Sequence, residues 1–538
     1  MNPNWLLKHF DEISEAPDAV PRLREFILDL AVRGKLVEQD PQDELESDLL
    51  KHIGEESAEV PFDLPAKWIS AKVGRLLSMN YGKALPASDR CAEGRVPVFG
   101  SNGVVGYCET ALTDEPAIII GRKGSAGALN LCEGPSWTTD VAYYLIPPNF
   151  FNVHFLLIVL QTLDLGGLGK GVKPGLSRSE AHQLPVVVPP LAEQHRIVAK
   201  VDELMALCDE LEVTQAKREK RRHRLVASTL HGLNNGDASP DSDSSSATFE
   251  ENARFYFNHL PRLTTRPEHI QQLRQTILNL AVRGKLVPQN PKDEPASALI
   301  ERIRQERLGT VKEYRIRSER QLNGRGKASA PFALPHGWSW TRFPDLGTFG
   351  RGKSKHRPRN DASLFEGGTH LFVQTGDVAR SRGVIETFTD KYNDIGLAQS
   401  AKWPKGTLCI TIAANIADSG ILSFDACFPD SVVGFIPAPI FPNSRYFEYF
   451  IRTVKAGLLE YAPSTAQKNI NIGILNEVLI PLPPLAEQHR IVARVDELMA
   501  LCGELESQIS NTTATRRQLL EATLQDALSA LHEHHYPT

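Results

Sequence analysis

At 538 residues the chain is too long for one ordinary domain, and length alone implies three or four. A hydrophobic fraction of 41% with 23% charged residues is that of a core-forming chain and excludes a wholly disordered or fibrous protein. The net charge of −5 argues against indiscriminate polyanion binding and leaves local patches open. The longest apolar runs, Phe155–Leu160 and Ala117–Ile120, fall short of a membrane span. The opening MNPNWLLKHFDEISEAPD is acidic where a secretory leader is basic, so a cytoplasmic location away from any membrane is expected. Seven scattered cysteines, none in a CxxC pair, indicate neither a disulfide framework nor a zinc site.

Residues 1–60 are predicted as a helical segment, carrying LREFILDLAVRGKLV from Leu23. Residues 61–188 are rich in Gly, Pro and short β-prone runs such as PAIII and VAYYLI, which predicts a compact α+β head. Residues 189–232 open with PPLAEQHRIVAKVDELMALC, a helix start with Glu193 in its first turn and Gly232 as a stop signal. Residues 233–260 contain NNGDASPDSDSSSAT, read as a flexible Ser/Asp-rich linker. Residues 261–330 are again helical, and LRQTILNLAVRGKLV from Leu273 matches the Leu23 element at twelve of fifteen positions. Residues 331–482 form a second β-prone block, with runs such as TLCITI and SVVGFI. Residues 483–538 open with PPLAEQHRIVARVDELMALC, identical to the first copy at nineteen of twenty positions.

The chain is therefore a tandem duplication in which two matched scaffolds carry two unmatched heads. Ile197, Val201, Leu204, Cys208 and Leu211 follow one another at spacings of 4, 3, 4 and 3, and Ile491, Val495, Leu498, Cys502 and Leu505 repeat them. Such a seam packs either on its own domain or on a second helix. Two copies in one chain favour pairing of the long helices with each other.

The heads are slightly basic, with eleven Lys/Arg against ten Asp/Glu in 61–188 and fifteen against thirteen in 331–482. Arg351–Arg359 places cations at alternating positions, including Lys353, Lys355, Arg357 and Arg359, and in an extended chain these share one face suited to a phosphate backbone. In the first head PAIIIGRKGSAG runs from a strand into a glycine loop with Arg122, Lys123 and Ser125, while SNGVVG offers Ser101 and Asn102. Lys170 and Lys173 add charge there, and Gln374 and Thr375 are candidate base readers in the second head or, equally, caps for a turn beside Gly376.

Gly347–Ser354 matches GxxxxGK[ST], but Pro344 before it and Pro358 after it break the strand and helix that a phosphate loop needs. No methyltransferase, hydrolase or nuclease constellation accompanies it, and no metal site is expected.

The duplicated PPLAEQHRIVA[KR]VDELMALC segments resemble the conserved regions of the DNA-specificity subunit of Type I restriction–modification systems. The LRQTILNLAVRGKLV element and its copy, YGKALP, GSNGVVG and GRKGSAG in the first head, and GRGKSKHRPRND and FVQTGDV in the second are similar to that family too. The resemblance implies two target-recognition domains separated by two long, antiparallel paired helices, each domain reading half of a split asymmetric site on double-stranded DNA. It implies a noncatalytic subunit that binds no cofactor. Two modification subunits would carry S-adenosylmethionine, and two restriction subunits ATP and Mg. A coiled-coil adaptor that binds only proteins is the alternative reading.

Overall fold

The computed structural model describes residues 15–16, 18–45, 47, 49, 58–169, 175–235, 243–307, 330–356, 358, 360–413, 416–460, 470 and 472–533. They fall into two compact units, Met1–Lys220 with Asn511–Thr538, and Arg221–Ser510. Helix and strand are mixed, and among the described residues no helix is long and apolar enough to cross a membrane. The first long helix spans Leu191–Asn235 and the second Leu485–Glu533. At 1.5 Å per residue these are about 68 and 74 Å long.

In unit 1 the head contains β1 (Ile69–Lys72), β2 (Asn80–Tyr81), β3 (Val96–Phe99), β4 (Val104–Cys108), β5 (Ala117–Gly121), β6 (Leu129–Cys132), β7 (Trp137–Thr138), β8 (Ala142–Leu145) and β9 (Pro185–Val188). The sheet orders are β2-β8-β5-β6 and β4-β3-β7, with β1 paired to β9. The isoleucine run of β5 sits at the centre, buried along its whole length, as β-branched side chains in an interior strand should be.

In unit 2 the strands are β10 (Ser339–Thr341), β11 (Gly347–Arg351), β12 (His370–Phe372), β13 (Val384–Ile385), β14 (Asp390–Tyr392), β15 (Lys402–Trp403), β16 (Leu408–Thr411), β17 (Ser419–Leu422), β18 (Ala426–Cys427), β19 (Val432–Pro437) and β20 (Ile480–Leu482). Their orders are β11-β19-β16-β17-β13 and β14-β12-β18-β15, with β10 paired to β20. Strand for strand the antiparallel core is the same as in unit 1. The parallel pair β3–β7 recurs as β12–β18, and the second head adds β13 and β15. Two sequences with little in common build one topology.

A shared polar junction fixes each head to its long helix. Glu193, 1% exposed, accepts hydrogen bonds from Trp68 Nε1 at 3.1 Å and Gln39 Nε2 at 2.6 Å. Beside it Arg196 Nη2 lies 2.6 Å from Asp43. Unit 2 repeats the arrangement: Glu487 accepts from Trp338 Nε1 at 3.0 Å and Gln289 Nε2 at 3.3 Å, and Arg490 pairs with Asp293 at 2.7 Å.

The repeated element from Leu23 and Leu273 supplies a further helix to each unit, Ala19–Val32 and Pro267–Val282. In unit 1 it pairs Arg24 with Asp209 and Glu212 of the first long helix, and Arg22 and Asp18 with Glu521 and Arg517 of the second. Glu15, just before it, meets Arg218. The contacts run in reverse order along the first long helix and in forward order along the second, so the two long helices are antiparallel there. In unit 2 Arg274 pairs with Glu506, Arg222 donates to Thr265, and Asn234 donates to Thr276.

The seam residues show what makes this arrangement. Ile197, Val201 and Cys208 are buried in the core of unit 1, with Leu204 and Leu211 packed on it. Ile491, Val495 and Cys502 are buried in the core of unit 2, with Leu498 and Leu505 packed on it. Each seam thus joins a core that holds the repeat helix and head of its own unit, and in unit 2 that core also holds Val226, Leu230 and Leu233 of the first long helix.

Two boundaries also differ from the sequence reading. The first long helix runs through Gly232 to Asn235, and the glycine leaves room for Asn252, whose Nδ2 would lie 2.9 Å from an added Cβ. The expected flexible linker is helical over Asp243–Asn258, and Tyr256 is fully buried with its hydroxyl 3.1 Å from that of Thr264. An apolar spacing at Phe249, Ala253, Tyr256 and Leu260 joins it to the core of unit 2 despite the Ser/Asp-rich start.

Burial pushes the carboxyls of Glu193 and Glu487 above the usual range, and the indole and amide donors oppose that rise. A raised carboxyl carries its stability in full below the ordinary carboxylate range and loses it as pH rises through the raised value. The indole bond works the other way, favouring the ionised form. Trp68→Phe and Trp338→Phe should therefore each destabilise their unit by about 2 kcal/mol at neutral pH. The loss should shrink in mildly acidic buffer, as read by urea unfolding; an equal loss at both pH values would contradict the assignment.

Candidate nucleic-acid interface

In the first head, β5 ends at Gly121, where an added Cβ would sit 2.0 Å from Ser125 O and 2.3 Å from Ser101 O. Only glycine admits both loops this close. Ser101, Asn102, Arg122, Lys123 and Ser125, scattered over 25 residues of sequence, are thereby brought to one edge of the head. Asn102 and Lys123 are exposed, and Ser101, Arg122 and Ser125 partly so. Lys123 is further held by a bridge to Gly175. Lys170 and Lys173 lie outside the described residues.

Arg122 does not hang free. Its Nε donates to Asp140 O at 3.1 Å, its Nη2 reaches the same oxygen, and its guanidinium lies 5.5 Å from the centre of the Tyr81 ring. Arg178 lies over the same ring at 5.0 Å, and Tyr81 is half exposed. This pair of guanidinium groups on one exposed tyrosine escaped the sequence reading. Arg178 stands 97 residues from Tyr81, and no spacing rule connects them. Both cations thus sit against one half-exposed ring, which favours them there.

In the second head the chain leaves β11 at Arg351 and runs on without regular structure to His356. Lys353 N donates to Phe428 O at 3.0 Å, and Lys353 O accepts from Ser400 Oγ. Gln399 Oε1 accepts from the backbone of both Lys355 and His356, fixing the loop while leaving the Lys355 side chain exposed. His356 Nε2 lies 2.8 Å from Asp361, whose carboxyl is pulled down to about 2 by Ser363 and His356. Arg357 and Arg359 lie outside the described residues. The GKS match does not have the setting of a phosphate loop: its first residues are β11, antiparallel to β19, and Lys355 and His356 after Ser354 are not in a helix.

Gln374 and Thr375 open the helix Thr375–Arg380. Gln374 makes a reciprocal capping box with Asp377, and its Nε2 donates to Asp390 at 3.2 Å. Its amide is thus engaged in holding the turn. Both residues line a cleft of about 470 Å³ with Ser354, Asn360, Phe365 and Asp390.

The geometry at Gly121 gives a direct check. Gly121→Ala should destabilise the first head by about 3 kcal/mol or prevent its folding, because the added methyl meets backbone oxygens that cannot move aside. Gly134→Ala, with nothing within 4 Å, should be nearly neutral in the same denaturation measurement.

Two segments, 65–219 and 335–513, match the model of the Type I restriction modification DNA specificity domain. The specificity subunit of the Type I restriction enzyme EcoAI from Escherichia coli is 28% identical over a 585-residue alignment covering 95% of this chain and 94% of that protein. The EcoEI specificity subunit of the same organism is 28% identical, with the same coverage. Among solved structures, the HsdS subunit of Thermoanaerobacter tengcongensis is 17% identical with a TM-score of 0.42, over 87% of this chain and 98% of that one. With two copies of the domain, each spanning a head and the start of its long helix, the chain belongs to the family of Type I restriction–modification specificity subunits.

Proposed function

We propose that this chain is the sequence-specific DNA-recognition subunit of a Type I restriction–modification complex, reading a split, asymmetric site with one head per half-site. The observation that carries this reading is the pairing of sameness and difference. Two heads share one strand topology and one polar junction, yet present different side chains at their exposed loops. Matched scaffolds suit two copies of one partner, and unmatched heads suit two different half-sites. The exposed Lys123 and Lys355 and the partly exposed Arg122 and Lys353 suit the phosphate backbone, which positions a reader without specifying sequence.

On this reading the chain is noncatalytic and cytoplasmic. Modification subunits with S-adenosylmethionine and restriction subunits with ATP and Mg dock on its helices. The adaptor alternative gains no support: it gives no reason for two heads of equal fold and unequal surface.

The test is selection from a pool of duplexes with randomised bases, using the full chain with its modification subunits. Recovery of two unlike base clusters separated by an unread spacer is expected. The double variant Lys353→Glu/Lys355→Glu should bind more weakly, with a clearly altered salt dependence. Absence of any recovered sequence, or unchanged salt-dependent affinity in the variant, would count against the proposal.

A further inference from the structure

One turn is built the same way in both heads. In the first, Ala142 N donates to Thr139 O at 3.1 Å, Gly82 N to Ala142 O at 3.1 Å, and Lys83 N to Thr138 O at 2.9 Å. In the second, Val432 N donates to Pro429 O at 3.0 Å, Gly352 N to Val432 O at 2.8 Å, and Lys353 N to Phe428 O at 3.0 Å. Glycine is required at both crossings: a Cβ would lie 2.1 Å from Thr139 O at Gly82 and 2.4 Å from Pro429 O at Gly352.

At the next carbonyl of this turn the two heads converge. Asp140 O accepts from Arg122 Nε at 3.1 Å, and Asp430 O accepts from Arg351 Nε at 3.0 Å. The two arginines occupy different places in the fold. Arg122 follows β5, and its counterpart after β16 is Ile412. Ile412 N donates to Ser431 O as Arg122 N does to Val141 O, and Ile412 O accepts from Ile470 N as Arg122 O does from Leu176 N. Arg351 ends β11, and its counterpart at the end of β2 is Tyr81, the ring beneath Arg122. One guanidinium position is thus reached from two strands.

Holding a turn closed needs a donor but no charge. A charge placed at one point by two routes, in heads whose other loops differ, answers to something common to both half-sites. In duplex DNA the common element is the phosphodiester, and the differing element is the base. Each shared glycine is also followed by a lysine, Lys83 exposed and Lys353 partly so.

We propose that Arg122 and Arg351, with Lys83 and Lys353, form the same phosphodiester anchor in each head, and that base identity is read outside it. This rests on the DNA-recognition reading above. Neither bond to Asp140 uses Arg122 Nη1, and Arg351 keeps both terminal nitrogens clear of its bond to Asp430. These are the donors a phosphate oxygen would meet.

The experiment uses the full chain with its modification subunits and the duplexes recovered by the wild type. Arg122→Gln and Arg351→Gln should each reduce the slope of log affinity against log salt by about 0.9, with the selected base sequence unchanged. Arg122→Lys and Arg351→Lys should restore the slope, which a purely structural loss would not allow. A shift in the selected bases at one half-site, or an unchanged slope, would overturn the anchor while leaving DNA recognition in place. Failure of the wild type to select any sequence would remove both.

Discussion

A carboxylate in a protein interior is tolerated only where donors meet it. Glu193 and Glu487 stand at the starts of the two long helices, each met by an indole and an amide with an Arg–Asp pair alongside. Three stretches of chain far apart in sequence converge on each charge. The tryptophan directly precedes β1 or β10, and β9 or β20 leads back into the long helix, so a head is clamped at both of its chain ends. Whatever lies between the clamped strands can change without disturbing the helices. That is the physical basis for two unlike heads on one repeated scaffold.

Much of the scaffold was legible because helical periodicity is local and the duplication is nearly exact over twenty residues. The partner of the apolar seam was not. Ile197 and Ile491 need an apolar neighbour, and periodicity cannot say whether it comes from the other long helix or from the repeat helix. The buried cores supply the answer: Ile197 shares one with the repeat helix of unit 1, and Ile491 shares one with the repeat helix of unit 2 and with Val226, Leu230 and Leu233. The helix Asp243–Asn258 was hidden for a different reason: its Ser- and Asp-rich start reads as linker, and the packing of Phe249, Ala253 and Tyr256 on the core explains its order.

The heads were legible as β-rich blocks but not as a topology. Their strands are short, and the pairings that define them, β2 with β8 and β3 with β7, join segments distant in sequence. The candidate site followed the same rule. The glycine loops at Ser101 and Ser125 were visible as motifs, while their meeting at Gly121 was not. Arg122 was visible as a cation; Tyr81 and Arg178, which orient it, were not. Gln374 shows the reverse case, an amide suited to base reading whose bonds are to Asp377 and Asp390.

The central claim is that each clamped head reads its half-site independently of the other. The most direct measurement replaces residues 61–188 with the corresponding head of another family member and compares the sequences selected from randomised duplexes by the two full chains with their partners. One base cluster should change and the other should persist. A change in both clusters, or in neither, would contradict the account.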